Sequence, residues 1–259
     1  MQSNAVLPPP VSIDVRGLTR RYGDRLAVDD LNLQVPRGAF LALLGTNGAG
    51  KTTTLRMLTG ILAPTAGDAF IEGYSIRDAP LEVKRRIGVV PDELALFDRL
   101  TFEEHLMLAG RIHGFDAAET ARRSTDLLEL MEIEGARRLL AYQGSTGMRK
   151  KLALAMALLP RPAVLFLDEP FESIDAFVGR TIRDLLTALA RSGVTIVLTS
   201  HILEVVDRLA DQVAILAQGR LAFQGTLQDL HAAGQSVEDV LRDVAGRPAQ
   251  PARDVPWLY

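Results

Sequence analysis

One nine-residue stretch constrains the fold of this chain more than any other. "GTNGAGKTT" (45–53) matches the pattern G-x-x-x-x-G-K-[ST] at every fixed position. It follows the apolar run "AFLALLG" (39–45), which predicts a strand, and leads into "AGKTTTLRMLTGIL" (49–62), which predicts a helix. Glycines let such a loop turn its N–H groups inward, and the helix adds the positive end of its dipole. The stretch therefore predicts a phosphate-binding loop, the alternative being a glycine-rich turn with a surface lysine.

The positions of this loop have distinct expected roles. Lys51 is predicted to reach the β- and γ-phosphates of a nucleotide, and Thr52 to bind Mg²⁺. The turn itself depends on its three glycines. The predicted nucleotide-binding residues of the loop are Gly45, Thr46, Asn47, Gly48, Ala49, Gly50, Lys51, Thr52 and Thr53.

A second apolar run, "AVLFL" (163–167), ends in two adjacent carboxylates, Asp168 and Glu169. Its continuous apolar character predicts a buried parallel strand, with both acids where the strand leaves the sheet. Alone, the acids could simply cap or turn that strand end. Together with a phosphate loop, Asp168 is predicted to bind Mg²⁺ and Glu169 to act as the general base in ATP hydrolysis.

The order of the remaining segments predicts an α/β fold built on a mainly parallel sheet. Alternating patterns over residues 11–38 predict a small antiparallel sheet, and residues 101–159 are almost all helical in pattern. A hairpin (212–225) and a helical segment (236–246) follow. The Pro-rich end (247–259) is predicted to be loose.

Composition limits the classes of function for these 259 residues. The formal net charge of −3 gives no global field that would attract nucleic acid or anionic lipid, so no nucleic-acid partner is expected. The absence of cysteine excludes disulfides and thiolate metal sites. No signal peptide and no apolar run near the roughly 18 residues of a spanning helix is seen. A cytosolic chain is predicted, with any membrane role exerted through a partner.

The chain resembles the ATP-binding-cassette (ABC) ATPase family, in which a short signature begins the last helix of an inserted helical subdomain. Here "GSTGMRKKL" (144–152) lies shortly before the strand that carries the acids. Ser145 and Gly147 match the serine and second glycine of the signature, whereas Thr146 and Met148 replace its first glycine and usual glutamine. A serine hydroxyl and helix N-terminal amides form an anion site, although an ordinary helix cap has the same composition.

Three further residues match family positions. His201, after a predicted strand, matches the histidine that contacts the γ-phosphate. Asp175 matches the aspartate of the loop after the catalytic strand, although Ser173 and Ala176 replace the usual glycine and proline. Tyr22 stands where an aromatic ring stacks on adenine, the alternative being an ordinary strand aromatic.

One residue departs from the family pattern at a functional position. In "GVVPDEL" (88–94) the family places a glutamine where this chain has Asp92. The resemblance implies that Asp92 is a further Mg²⁺ ligand and begins a loop facing the membrane partner. The alternative is a solvated turn residue after Pro91.

The resemblance implies a three-part cassette over about residues 11–227, with the helical subdomain at about 93–160. Residues 228–259 are then a C-terminal helical extension and tail. It also implies a head-to-tail pair of cassettes, as homodimer or heterodimer, with two ATP molecules between phosphate loop and signature. Residues 86–106 and 236–246 look most like the separate ATPase subunits of bacterial multicomponent exporters.

The function implied is an ATP-hydrolysing subunit coupled to a membrane-spanning permease and held at the inner face of the cell membrane. One alternative is a soluble ABC ATPase acting on ribosomes, DNA or protein assembly. Ribosome-acting members usually carry two cassettes and DNA-repair members long coiled coils, and this chain shows neither. The other alternative is a weakly hydrolysing regulatory subunit: Glu169 and His201 oppose it, and Asp92 leaves it open.

Overall fold

A computed structural model of the chain describes residues 11–244 and residue 246. The strands of this part are β1 (Val11–Tyr22), β2 (Arg25–Pro36), β3 (Phe40–Gly45), β4 (Ala66–Ile71), β5 (Tyr74–Ser75), β6 (Ile87–Val90), β7 (Val164–Asp168), β8 (Thr195–Thr199), β9 (Gln212–Ala217) and β10 (Arg220–Thr226). The α-helices are α1 (Lys51–Leu58), α2 (Pro80–Lys84), α3 (Phe102–Ile112), α4 (Ala117–Leu130), α5 (Thr146–Leu158), α6 (Ala176–Arg191), α7 (Leu203–Leu209), α8 (Leu227–Ala232) and α9 (Val237–Val244). Two short 3₁₀ turns, Glu134–Ala136 and Ala141–Gln143, lie between α4 and α5.

The larger sheet has six strands in the order β10-β9-β3-β8-β7-β6. Every pair from β9 to β6 is parallel, and only the edge strand β10 runs antiparallel to its neighbour β9. The five residues of β7 and the five of β8 are all buried, as expected for parallel strands covered on both faces. The predicted α/β fold with a mainly parallel sheet is confirmed.

This order places three strand ends side by side. β8 lies between β3 and β7, and because all three are parallel their carboxyl ends meet at one edge of the sheet. The phosphate loop follows β3, the two acids stand at the end of β7, and His201 follows β8. Ligands of open α/β sheets bind at this edge.

The smaller sheet is antiparallel, with the order β2-β1-β4-β5, and confirms the antiparallel sheet predicted over residues 11–38. Its hairpin β1–β2 closes on a turn after Tyr22, which pairs with Arg25. Buried side chains from these strands join one core with β3, including Ile13, Leu31 and Leu43. That shared core fixes the small sheet beside the phosphate loop.

The helical block packs around Phe102, Leu128 and Leu152, in an apolar cluster that continues into buried side chains of β6, β7 and β8. The predicted capping box at the start of α3 is present. Thr101 Oγ1 accepts from the Glu104 N–H (3.2 Å), and the Glu104 carboxylate accepts from the Thr101 N–H (2.7 Å). Helices α3, α4 and α5 therefore pack together, and α5 lies against β6 at the edge of the larger sheet.

The residues after 227 are continuous with the core. Leu227, Leu230, Val237 and Val240 of α8 and α9 pack with buried side chains of β3 and β9. The predicted segment 236–246 is helical over Val237–Val244. The predicted loose end at 247–259 and the segment before residue 11 lie outside the described residues. Across residues 11–244, no helix is both long and apolar enough to cross a membrane.

Candidate active site

The phosphate loop is pressed against its neighbours so closely that two positions accept only glycine. Gly45 has φ +146°, and a Cβ there would lie 2.4 Å from the Leu216 carbonyl oxygen. Gly50 has φ +107°, and its Cβ would lie 2.6 Å from the Ala27 carbonyl oxygen. Glycine at these two positions of the motif thus allows the loop backbone to lie directly against the backbones of β9 and β2.

The loop ends at the start of α1, which begins at Lys51. Gly50 precedes the helix and has no side chain with which to cap it, so the first N–H groups are open to an anion. The Lys51 ammonium donates to the carbonyl oxygens of Gly45 (2.8 Å) and Thr46 (3.4 Å), and therefore lies over the loop. These groups together form a positively polarised cradle.

Asp168 is the last residue of β7, one residue beyond the predicted strand end, and it is buried. Thr199, at the end of β8, donates its hydroxyl to Asp168 Oδ1 (2.6 Å) and accepts the Glu169 N–H (3.0 Å). Burial of a carboxylate is tolerated where such hydrogen bonds exist. The same threonine thus fixes both acids to the neighbouring strand.

Glu169 has a backbone conformation that is uncommon outside glycine, with φ +48°. Its Oε2 lies 3.0 Å from His201 Nδ1 and 3.3 Å from the His201 backbone nitrogen. Burial raises the pKa of Glu169, while the charges of His201 and Lys51 act in the opposite direction. A carboxylate with a raised pKa, turned into a cleft, has the properties of a general base.

Glu169 and the phosphate loop line a cleft of about 610 Å³. Its lining residues are Arg25, Ala27, Asn47, Gly48, Ala49, Gly50, Lys51, Thr52, Thr53, Asp92, Glu169, Glu172 and His201. Most of the loop residues predicted to bind nucleotide, and both predicted catalytic residues, therefore face one space. Gly45 and Thr46 lie at the root of the loop, where their carbonyls accept from Lys51.

A smaller cavity of about 310 Å³ shares Thr52 and Asp92 with the cleft. Asp168 also lines it, so the three predicted Mg²⁺ ligands meet there. Their donors are a hydroxyl and two carboxylates, which are oxygen ligands that suit Mg²⁺ when phosphate and water complete its shell. Among the described residues, no group of three or more His, Asp or Glu side chains is arranged to hold a metal ion unaided.

Asp92 stands on the cleft wall and remains exposed to solvent. Its pKa is nevertheless raised, first by partial desolvation and then by the nearby carboxylates of Glu172 and Asp168. The Lys150 cation opposes these effects. Asp92 is therefore part of an acidic surface beside the phosphate loop.

Tyr22 does not line the cleft. Its ring is exposed and lies under the Arg20 guanidinium, 4.6 Å from carbon to ring centroid. The residue that reaches the cleft from this hairpin is Arg25, the partner of Tyr22 in the β1–β2 register. The hairpin end is thus at the site, with Tyr22 at its margin.

Ser145, Gly147 and Asp175 also lie outside the lining of this cleft, at the starts of α5 and α6. Ser145 Oγ accepts an N–H from the first turn of α5 (3.2 Å), and Asp175 Oδ1 accepts two from the first turn of α6 (both 2.9 Å). Gly147 is packed so that a Cβ would lie 2.8 Å from Val178 Cγ2. Within one chain, two of these residues cap helices and the third allows the helices to approach.

Sequence reasoning missed three residues of the cleft, namely Arg25, Ala27 and Glu172. The hairpin register could have identified Arg25, because it faces Tyr22 across the turn. Glu172 is the third residue after Glu169, and the N–H of Glu172 returns to the Glu169 carbonyl (3.2 Å). Such a tight turn brings both side chains to the same cleft.

Several known proteins are similar to this chain. The family model described as "ABC transporter" matches residues 28–172. The daunorubicin resistance ATP-binding protein DrrA3 of Streptomyces coeruleorubidus is 38% identical over 234 residues, covering 90% of this chain and 74% of the relative. The Nod factor export ATP-binding protein I of Ralstonia nicotianae is 39% identical over 233 residues, covering 89% and 73%. A solved ATP-binding subunit of an ABC transporter superposes with a TM-score of 0.83 at 31% identity, covering 90% of this chain and 99% of that one.

Proposed function

Because the chain belongs to the ABC transporter family, we propose that it is the ATPase subunit of an exporter, coupled to a separate membrane-spanning permease. As a member of that family it is an ATPase. Glu169, His201 and the phosphate loop line one cleft. This observation is the main support for assigning hydrolysis to these residues.

ATP is proposed to bind with its phosphates on the loop. The open N–H groups at the start of α1 and the Lys51 ammonium supply the positive charge. Lys51 exchanges its contacts with the Gly45 and Thr46 carbonyls for phosphate oxygens. Tyr22 and Arg25, at the end of the neighbouring hairpin, are proposed to flank the adenosine.

Glu169 is the proposed general base. Its carboxylate takes the proton of the attacking water, and its raised pKa brings its basicity closer to neutral pH. His201 holds the same carboxylate through ring and backbone nitrogens and is proposed to contact the γ-phosphate. The pair therefore orients the base with respect to the phosphate that is lost.

Thr52 and Asp168 are the proposed ligands of Mg²⁺, with Asp92 as a third. The ion would neutralise charge on the phosphate oxygens. Thr199 holds one oxygen of Asp168, and the other oxygen is the proposed ligand of the ion.

A second cassette is proposed to complete the site. Ser145 and Gly147 do not line the cleft of their own chain, and the proposal is that they meet ATP bound to another copy or to a related cassette. The exposed start of α5 offers the Ser145 hydroxyl and helix N–H groups to that nucleotide. Asp175 begins α6 on the same side of the molecule as the Gly147–Val178 contact.

The proposed permease partner and the proposed location at the inner face of the membrane are based on the names of similar proteins. The proteins from Streptomyces and Ralstonia are named as ATP-binding proteins of drug resistance and of export. We therefore propose a peripheral position, held by the permease, and no nucleic-acid partner.

Purification of the tagged chain from a detergent extract of its own cells tests this proposal. A polytopic membrane protein is expected to co-purify in a fixed ratio. Lys51→Ala, which is expected to weaken nucleotide binding without altering the fold, serves as a control for partners held only by nucleotide. Recovery of soluble partners alone, such as ribosomal or DNA-repair proteins, would contradict a transport role.

A further inference from the structure

A buried lysine from the signature helix reaches the turn that carries the proposed base. Lys150, on α5, is only 7% exposed. Its ammonium donates to the carbonyl oxygens of Glu169 (2.9 Å) and Glu172 (2.6 Å). The contact joins the helical subdomain to the segment between β7 and α6.

This turn needs support because its backbone is strained. Glu169 and Ser173 both have φ in the left-handed region, at +48° and +57°. For residues with a Cβ this conformation costs free energy and persists only where the surroundings impose it. The bond from the Glu172 N–H to the Glu169 carbonyl, at 3.2 Å, is the turn's own closure. The Lys150 ammonium adds two charge-assisted bonds to it.

Of the two neighbouring buried lysines of α5, Lys150 is the one that contacts the turn. Its neighbour Lys151 is also buried, yet it donates to Glu132 Oε2 (3.2 Å), away from the turn. Burial lowers the pKa of Lys150, and the carboxylates of Asp92, Glu172 and Glu169 oppose that change. The acids of the cleft thus favour the charged form, which has the donors that the two carbonyls require.

We propose that Lys150 is a positioning residue for hydrolysis: it clamps the Glu169–Glu172 turn and so fixes the direction of the Glu169 carboxylate. The inference rests on the proposed role of Glu169 as base. Because Lys150 lies on the helix that Ser145 caps, a shift of α5 on meeting the second cassette would be transmitted to the base.

The change Lys150→Met keeps an unbranched side chain of similar volume and removes its charge and donors. We expect kcat to fall about 10-fold to 100-fold, because small displacements of a catalytic group have effects of this size. KM for MgATP and the affinity for ADP should stay within about twofold, because the phosphate loop is untouched. Lys150→Arg, which keeps a cation and several donors, should recover most of the rate.

Two further variants separate positioning from general damage. Lys150→Gln keeps a polar end that is too short to span both carbonyls, and should show the same loss of kcat. Arg137→Met removes a partly buried cation of the helical subdomain that binds Glu103 and Thr125, and should leave kcat unchanged. Wild-type kcat in both Lys150→Met and Lys150→Gln would overturn the inference.

A double-mutant cycle with Glu169→Gln makes the test specific. If Lys150 acts through Glu169, adding Lys150→Met to Glu169→Gln should reduce the residual rate no further. An equal fold-loss in both backgrounds would overturn the inference. A wild-type rate in Glu169→Gln alone would remove the proposed base and the inference with it. An inactive Glu169→Gln beside a fully active Lys150→Met would remove only the inference.

Discussion

His201 holds one oxygen of the Glu169 carboxylate with two nitrogens, its ring Nδ1 at 3.0 Å and its backbone N–H at 3.3 Å. The contact joins residues that follow neighbouring strands, β7 and β8. It keeps a carboxylate whose side chain is 15% exposed directed into the cleft. The two residues should therefore act together in orienting the carboxylate.

The first prediction concerns pH. Burial is the main cause of the raised pKa of Glu169, and His201 is the main influence opposing it. Removing the imidazole in His201→Ala should raise this pKa further. Because hydrolysis requires the ionised carboxylate, the acid limb of the pH–rate profile should move to higher pH. The nucleotide's own titration is common to both proteins, so the difference between their curves reports on Glu169. Acid limbs at the same pH would contradict the coupling.

The second prediction concerns Asp92, which lines both cavities beside Thr52. A carboxylate there adds negative charge near the triphosphate and has no N–H to donate when ionised. Asp92→Gln should lower the Mg²⁺ concentration needed for half-maximal hydrolysis, or raise the basal rate. Mg²⁺ titrations of both proteins measure this, with Asp92→Asn as a control for the length of the side chain. Superimposable curves would make Asp92 a solvated turn residue.

The third prediction concerns the cap of α6. Asp175 Oδ1 accepts two backbone N–H groups, so Asp175→Ala should lower the melting temperature by about 2–4 °C, whereas Asp175→Asn should retain most of the cap. The bond from the Val178 N–H is the largest cause of the lowered pKa of Asp175. The stabilisation by the charge is therefore present above the unfolded-state pKa and is lost as pH falls through the lower folded-state value. Thermal scans should show wild type losing stability relative to Asp175→Asn in that acidic range. Equal melting temperatures for Asp175→Ala and wild type would contradict capping.

Much of this site could be predicted because its chemistry is local in sequence. The loop at 45–53 contains its own turn residues and is flanked in sequence by a recognisable strand and helix. Parallel strands in one sheet bring their carboxyl ends to the same edge, so the relative position of the strand ends could be predicted as well. Asp168 and Glu169 followed from the buried apolar run that they end, read together with the phosphate loop, whereas His201 followed from its match to the family's histidine.

What the sequence could not supply depends on long-range packing. The clamp from Lys150 to the Glu169–Glu172 turn joins residues about 20 positions apart, on a helix and a turn whose approach is set by the helical subdomain. Arg25 enters the cleft because of the register of a hairpin, and the left-handed backbone of Glu169 has no signal in a residue that is not glycine. The strand end at Asp168 was missed by one residue because Thr199 satisfies a carboxylate that was expected outside the sheet.

The fourth prediction concerns assembly. If Ser145 and Gly147 act on ATP held by another cassette, a variant that binds ATP but does not hydrolyse it should accumulate as a dimer. Light scattering of Glu169→Gln with ATP and Mg²⁺ measures this. Lys51→Ala, impaired in binding phosphate, should remain monomeric under the same conditions. A monomer at high concentration would contradict a homodimer, and mixing with a second cassette then tests the heterodimer.

The central claim is that Glu169 removes the proton from the attacking water. Glu169→Gln keeps the shape and hydrogen bonding of the side chain but cannot act as a base. Steady-state ATP hydrolysis and ATP affinity, measured on the same preparation, test the claim most directly. Glu129→Gln makes the same change on the exposed face of α4 and is the matched control. Hydrolysis should fall by about 100-fold or more while ATP binding is retained. Hydrolysis by Glu169→Gln at the wild-type rate would contradict the account.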